Sequence, residues 1–526
     1  MVSAVSSYSS AETRVAMTVF KARSLGIRQN FSLRVCIGVS IIFMVLIFQV
    51  SGDFSQTAAA AEKAAEKAAE IPEFRVALSP GHGGKVERGR EQTGDYWCEP
   101  LGKFLKGYFN GTSRDGKQEE KVVLDLAERI QKILQLTATE SGWKQFSGIL
   151  SRVTGSEADF QRVKLIVNLI RKESWDSPSM KSEKDVNSHF RLFDTPPEKR
   201  GEANFPGRLS AINDLSPHLV VALHLNTSGS QSWRGMHTVV TPSYSQFREI
   251  AEAAYSHGLQ GISRLAPETA ANWNFTGGDR NRFGWMANDA STYFYGFRPS
   301  RDLKKFSSRY IGHRHCMLSW PFSESWKKVM KVSKGKPVIP DFRPFSEFPD
   351  GLFWKRERSR FEERRRGWSL MGRGGDNLYA GTEVLRFVRL SLARGSSSGP
   401  LKKLKGSPDD IIGPILRPAL SDWSEPMLIN SVISYLELGH ISNSRDFALL
   451  KDYPDLYAEG IAVGIYSLLA GIELKPEKKL SDPPWGRPID WNFYEFGPGE
   501  AREFLGDLIS SGGKKSSIPG NYFEIK

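Results

Sequence analysis

The fold is most constrained by three apolar runs of strand length. Each run leads into an ionisable side chain. The runs cover residues 74–78, 219–223 and 432–436, and they lead into His82, His224 and Glu437. The run at 219–223 is unbroken, which is typical of a buried parallel strand. Since ligands collect at the carboxyl ends of such strands, we expect the three ionisable side chains to lie close together.

Amphipathic helical patterns separate and follow these runs. From Glu120 onward apolar residues recur at the i, i+3, i+4 and i+7 spacing, and further helical patterns cover residues 246–259 and 457–469. Strands that alternate with such helices predict an α/β fold with a mostly parallel twisted sheet and helices on both faces.

A pair of glutamates opens the first of these helices. Glu120 shares a helix face with Val123 and Ala127, so we expect it to point inward, with Glu119 as the alternative. Two neutral imidazoles and one carboxylate are a common ligand set for a catalytic zinc ion. A second carboxylate, here Glu437, supplies the proton transfer that hydrolysis needs. Together these residues predict a metal-dependent hydrolase.

Four segments of the chain together resemble the zinc-dependent N-acetylmuramoyl-L-alanine amidases (the type 3 catalytic domain), which cut the sugar–peptide junction of bacterial peptidoglycan. The four family motifs are similar, in the family's order, to residues 79–84, 120–127, 221–226 and 436–443. The resemblance covers about residues 73–265 and 427–471, roughly half of the chain.

This resemblance implies roles for individual residues. It implies that His82, Glu120 and His224 bind Zn²⁺ and that Glu437 is the catalytic acid and base, with Lys121 favouring Glu120 over Glu119. Arg191, Arg208 and Asn226 are implied as substrate-binding residues. For the two arginines, binding of substrate carboxylates and pairing inside the fold both remain open.

The chain departs from the family pattern at two positions near the implied site. Ser79 replaces the aspartate of the first motif, which removes a charge that would orient a histidine ligand, so the affinity for the metal is expected to suffer. His440 stands where the family usually has phenylalanine.

The implied activity is hydrolysis of the amide bond between N-acetylmuramic acid and L-alanine. Two alternatives remain open: a non-catalytic cell-wall-binding or scaffold protein on the same fold, and another zinc peptidase of the cell wall. The net charge of +13 favours an anionic partner. Since the sequence carries no nucleic-acid-binding motif, we expect peptidoglycan and not nucleic acid as the partner.

The N-terminal part of the chain has the pattern of a membrane signal. A basic segment at residues 1–34 precedes an apolar segment at 35–51, which is predicted as a transmembrane or signal anchor, cleaved or uncleaved. Residues 52–72 are rich in Ala, Glu and Lys and predict a semi-rigid spacer. Since the basic side stays in the cytoplasm, these segments place the following domain in the periplasm at the inner membrane.

The rest of the chain is predicted as one amidase-like domain at residues 73–475 and a C-terminal tail at 476–526. Two stretches at about 137–191 and 266–426 have the composition of insertions. Whether Cys98 and Cys316 form a disulfide is left undecided, because nothing in the sequence requires the bond.

Overall fold

The structure is a computed structural model of the chain. It describes residues 71–83, 96–98, 103–105, 110–192, 207–240, 331–333, 336–338, 364–366, 374–420, 425–426, 429–472, 474 and 485–494. The chain divides into two units, Met1–Ile71 and Pro72–Lys526, and the helices and strands described below belong to the second.

Several predicted features lie outside the described residues. They are the segments at 1–34 and 35–51, nearly all of the spacer at 52–72, the helix at 246–259 and Cys316. Within the part of the chain that the structure describes, no helix combines the length and apolar composition needed to cross a bilayer.

A six-stranded sheet forms the centre of the second unit. Its strands are β1 (Glu73–Pro80), β2 (Lys164–Leu169), β3 (Leu219–Asn226), β4 (His237–Val240), β5 (Ala419–Leu420) and β6 (Val432–His440). Their spatial order is β5-β4-β6-β3-β1-β2. Neighbouring strands are parallel, except that β4 runs antiparallel to β6. The prediction of a mostly parallel sheet is therefore confirmed.

Eight α-helices accompany the sheet among the described residues. They are α1 (Glu119–Gln135), α2 (Glu140–Thr154), α3 (Glu183–Phe190), α4 (Arg208–Asp214), α5 (Gly375–Ser398), α6 (Pro408–Ile412), α7 (Ser444–Asp452) and α8 (Pro454–Ala470). Short 3₁₀ helices cover Leu136–Ala138, Pro400–Lys403 and Trp491–Tyr494. Two-stranded ladders join Tyr96–Cys98 to Lys103–Leu105, Ser113–Arg114 to Lys117–Gln118 and Lys331–Ser333 to Lys336–Val338.

Helices α1, α2, α5 and α8 contact one another and form a layer with the sheet. Val76, Val221 and Leu436 belong to the same hydrophobic cluster as the buried faces of these helices. The intervening strand residues Ala77 and Val220 point to the opposite face, because side chains alternate along a strand, and they are also fully buried. Both faces of the central strands are therefore covered.

The two predicted insertions contain parts of the domain core. Residues 137–191 include β2, which pairs with β1, and residues 266–426 include α5, which packs against α8. Likewise, part of the predicted tail lies on the core, where Ile489 N–H and Trp491 Nε1–H both donate to the carbonyl of Leu468. The mixed composition of β2 follows from its position at the sheet edge, where Lys164 and Ile166 are exposed.

Helices α5 and α8 approach so closely that only glycine fits at two positions of α8. A Cβ atom at Gly460 would lie 2.4 Å from Val388 Cα, and one at Gly464 would lie 2.7 Å from Val384 Cα. These contacts are to backbone atoms, so a substitution requires the two helices to move apart.

We expect Gly460→Ala to lower the free energy of unfolding by about 1–3 kcal/mol, because the added methyl group overpacks this contact. Gly148→Ala is the matched control: Gly148 lies inside α2 with no atom within 4 Å of its would-be Cβ. That change is expected to stabilise the protein by about 1 kcal/mol through helix propensity alone. Denaturant unfolding measures both, and equal effects of the same sign would contradict the packing described here.

Candidate metal centre

The ends of β1, α1 and β3 bring two imidazoles and one carboxylate together. One ligand atom each from His82, Glu119 and His224 lie within 4.8 Å of one another. Glu119 Oε1 is 3.0 Å from His82 Nε2 and 3.4 Å from His224 Nδ1. His82 keeps 17% of its side chain exposed, whereas Glu119 and His224 are buried. One edge of the cluster is therefore open to solvent.

The prediction of Glu120 as the carboxylate beside the imidazoles is corrected to Glu119. Glu120 is fully buried, but its Oε2 pairs with Arg171 Nη1 at 3.1 Å and its Oε1 accepts a hydrogen bond from Ser174 Oγ at 2.9 Å. Successive helical residues point about 100° apart, so the two glutamates face different neighbours. The helix face and Lys121 favoured Glu120, which is indeed buried, but Glu119 is buried as well and is the residue beside the imidazoles.

Backbone donors hold the Glu119 carboxylate in place. The N–H of Thr112 donates to Oε2 at 2.9 Å, and the N–H of Leu225 donates to Oε1 at 2.8 Å. Burial raises the pKa of Glu119, but hydrogen bonds and charges from His224 and His82 outweigh it and hold the pKa well below its usual value. Glu119 is therefore an anionic, oriented acceptor.

Glycine and an unusual backbone conformation allow this close approach. A Cβ atom at Gly81 would lie 2.2 Å from His224 Cε1, inside the imidazole's contact radius. Gly111 has a φ of +76°, and a Cβ atom there would lie 2.3 Å from Glu119 Oε2. His82 itself has a φ of +59°, which non-glycine residues rarely adopt and which is often found at functional sites.

Arg171, which the sequence analysis missed, joins the loop before His82 to the start of α1. Its guanidinium is fully buried and donates to the carbonyls of Pro80 at 3.3 Å, Gly81 at 3.0 Å and Glu120 at 2.7 Å. Burial, followed by the charge of Arg208, lowers the pKa of Arg171 to about 9, against the opposing effect of Glu120. The guanidinium therefore still carries its charge near neutral pH.

Glu437 lies next to His224 on the neighbouring strand. The two residues are register partners in the parallel ladder of β6 and β3, and the ring of Tyr435 stacks on His224 with centroids 4.4 Å apart. Oε2 of Glu437 is buried and has no hydrogen-bond partner among the described residues. Burial and the charge of Glu119 raise the pKa of Glu437 to about 8, although His224 lowers it. A carboxyl with such a pKa is suited to exchanging protons near neutral pH.

Glu425, a carboxylate that the sequence analysis missed, lies on the edge of the His224 ring opposite to Glu119. Its Oε2 is 3.6 Å from His224 Nε2, and its Oε1 accepts a hydrogen bond from Ser79 Oγ at 2.5 Å. Burial lowers the pKa of His224, but Glu119 and Glu425 outweigh burial and raise it to about 9. Interactions with His224 and with Arg208 outweigh burial at Glu425 and lower its pKa.

The three residues implied in substrate binding have different environments. Arg208 is buried and its Nη1 donates to the carbonyl of Pro80 at 2.9 Å, while the carbonyl of Arg191, also buried, accepts from Arg208 N–H. Asn226 is half-buried, and its Nδ2 lies 3.4 Å from His237 Nε2. The contact with Pro80 places Arg208 inside the fold beside the site, and the substrate-binding roles stay predictions.

The donor set fits a zinc ion. Zn²⁺ takes histidine nitrogen and carboxylate oxygen at about 2.0–2.2 Å, so two ligand atoms of a tetrahedral site lie about 3.3 Å apart. The separations of Glu119 Oε1 from the two histidine nitrogens, 3.0 and 3.4 Å, agree with that spacing. His82, Glu119 and His224 are the residues that would hold the ion, and Glu437 stands beside them as the fourth predicted side chain.

Solved structures that match the chain include N-acetylmuramoyl-L-alanine amidases. The catalytic domain of CwlV from Bacillus (Paenibacillus) polymyxa var. colistinus is 13% identical, with 74% of this chain and 96% of that chain covered and a TM-score of 0.27. AmiC2 of Nostoc punctiforme is 11% identical, with 75% and 97% covered and a TM-score of 0.27. Ami1 from Mycobacterium smegmatis is 12% identical, with 76% and 97% covered and a TM-score of 0.28.

No family model and no curated protein matches the chain.

Glu119→Gln and Glu120→Gln form a matched pair that tests the ligand assignment. We expect Glu119→Gln to lose zinc, because the amide oxygen carries no charge, while Glu120→Gln keeps about one zinc per chain. Glu120→Gln is expected to lower the free energy of unfolding by about 3 kcal/mol, since Arg171 is left buried without its anionic partner. Metal analysis of the dialysed full-length variants, with denaturant unfolding, measures both effects. Zinc loss in Glu120→Gln alone would contradict the assignment to Glu119.

Proposed function

We propose that the protein is a zinc-dependent hydrolase that cuts the amide bond between N-acetylmuramic acid and L-alanine in bacterial peptidoglycan. The observation that carries the proposal is the cluster of His82, Glu119 and His224 with Glu437 as the ladder partner of His224. A bound zinc ion supplies an activated water and polarises a carbonyl, which is the chemistry that amide hydrolysis requires.

The side chains of the chain itself account for the proton movements. Glu437 stands beside the cluster with one carboxyl oxygen free of hydrogen bonds from the described residues. As a base it takes a proton from the attacking water, and as an acid it returns the proton to the nitrogen of the departing L-alanine. Glu119 stays anionic throughout, because its two backbone donors and the two imidazoles stabilise its charge.

The substrate class rests on the sequence resemblance. The four motif-like segments carry His82, Glu120, His224 and Glu437 in the order of the amidase motifs, and Glu119 directly precedes the second segment. The net charge of +13 is compatible with an anionic wall polymer. The apolar segment at 35–51 favours attachment to the inner membrane, with the catalytic domain in the periplasm.

The test of this function is product analysis with purified sacculi and the zinc-loaded full-length protein. An amidase releases new L-alanine amino groups and leaves the glycan chains whole. Cleavage inside the peptides would instead favour a zinc peptidase. Tight zinc binding with no bond cleaved would favour the non-catalytic wall-binding alternative.

Glu437→Gln is expected to keep its zinc and to lower the rate of amide cleavage by about 10²–10⁴-fold, because it removes the proton-transfer group but none of the three ligands. The release of L-alanine amino groups from sacculi gives the rate, and metal analysis confirms loading. Glu459→Gln is the control, since Glu459 lies on α8 and pairs with Arg152 of α2. Full activity of Glu437→Gln would rule out the proposed role.

A further inference from the structure

His224 is held between carboxylates on both edges of its ring. Its Nδ1 lies 3.4 Å from Glu119 Oε1, and its Nε2 lies 3.6 Å from Glu425 Oε2. Glu119 belongs to the cluster that would hold the metal, whereas Glu425 lies beyond the ring. Nδ1 therefore faces the metal cluster, whereas Nε2 faces a carboxylate outside it.

Glu425 is built into the fold at this point. Its side chain is buried, Ser79 Oγ donates to Oε1 at 2.5 Å, and Arg208, whose charge favours the anionic form of Glu425, is itself fixed to the carbonyl of Pro80. Ser79 is at the end of β1, one residue before Pro80, and is fully buried. The serine hydroxyl therefore ties Glu425 to the strand that leads to His82.

We infer that Glu425, held by Ser79, is a positioning residue for the metal ligand His224. A carboxylate opposite the coordinating nitrogen of a histidine fixes the orientation of the ring and increases the basicity of the ligand. Tyr435 stacks on the face of the ring, and the Glu425 carboxylate faces Nε2 at an ion-pair distance of 3.6 Å, longer than a hydrogen bond. This inference rests on the proposed function, because it assumes that the cluster binds zinc.

The arrangement also bears on the serine in the first motif. The resemblance led to the expectation that Ser79 weakens the metal site by removing a charge. The structure places the Glu425 carboxylate in contact with the Ser79 hydroxyl, so a charge stands at this position although it comes from a residue 346 positions away. We therefore expect the affinity for zinc to depend on Glu425.

The test is the dissociation constant of zinc, measured by chelator competition on the full-length protein. Glu425→Gln keeps the shape of the side chain but removes its charge, and we expect it to weaken zinc binding about 10–100-fold. Ser79→Ala releases the carboxylate from β1 and is expected to weaken binding in the same direction. Spectra of the cobalt-substituted protein give a second readout, which should change in both variants because the ligand geometry changes.

Glu383→Gln is the matched control. Glu383 is also a buried glutamate that accepts a hydrogen bond from a serine, Ser467 Oγ at 2.7 Å, but its other partners are Arg386 and Gly486. It should lower stability without changing zinc affinity. Zinc affinities of Glu425→Gln and Ser79→Ala within twofold of the native value would overturn the inference alone. Absence of zinc binding by the native chain would overturn the proposed function and this inference together.

Discussion

The contact of one carboxylate with two imidazoles is the interaction on which the site depends. Glu119 Oε1 reaches His82 and His224, which come from loops and strands otherwise far apart in the chain. The remaining lone pairs of this carboxylate are directed by the backbone N–H groups of Thr112 and Leu225. Because its acceptors are fixed in this way, Glu119 cannot turn away from either histidine without breaking a backbone hydrogen bond.

A buried cation on the other side of α1 supports this arrangement. Arg171 binds the carbonyls of Pro80 and Gly81 and the Glu120 carboxylate at once. The loop that carries His82 and the helix that carries Glu119 are thus fixed to the same guanidinium. The adjacent glutamates of α1 therefore have separate functions, one toward the imidazoles and the other toward the arginine that holds the loop.

The sequence predicted the parts of the fold that depend on local patterns. The apolar runs at 219–223 and 432–436 lie within β3 and β6. The helix predicted from Glu120 begins one residue earlier, at Glu119. These elements were accessible because a buried strand or an amphipathic helix shows its environment in its own residues. The two histidines and Glu437 were accessible for the same reason, since each lies within three residues of the carboxyl end of such a strand.

The missed residues depend on contacts between distant parts of the chain. Arg171 meets the Pro80 carbonyl across 91 positions, and Glu425 meets Ser79 across 346. Each lies in a stretch whose mixed composition predicted an insertion. The prediction of Glu120 over Glu119 was wrong for a different reason. Both glutamates are buried, and they differ only in the residues that each side chain contacts. No periodicity within α1 records those neighbours.

The balance of charge around His224 connects these features to the chemistry. The carboxylates of Glu119 and Glu425 are held in their ionised forms, whereas the pKa of Glu437 is raised to about 8 and that of His224 to about 9. Near neutral pH the imidazole of His224 therefore carries a positive charge that faces the two buried carboxylates, and Glu437 in its protonated form adds no further negative charge. A pocket that retains protons for this reason also favours a divalent cation, which releases protons from its ligands as it binds. The ionised carboxylates that raise the pKa of His224 thus also favour a positive charge at the centre of the site.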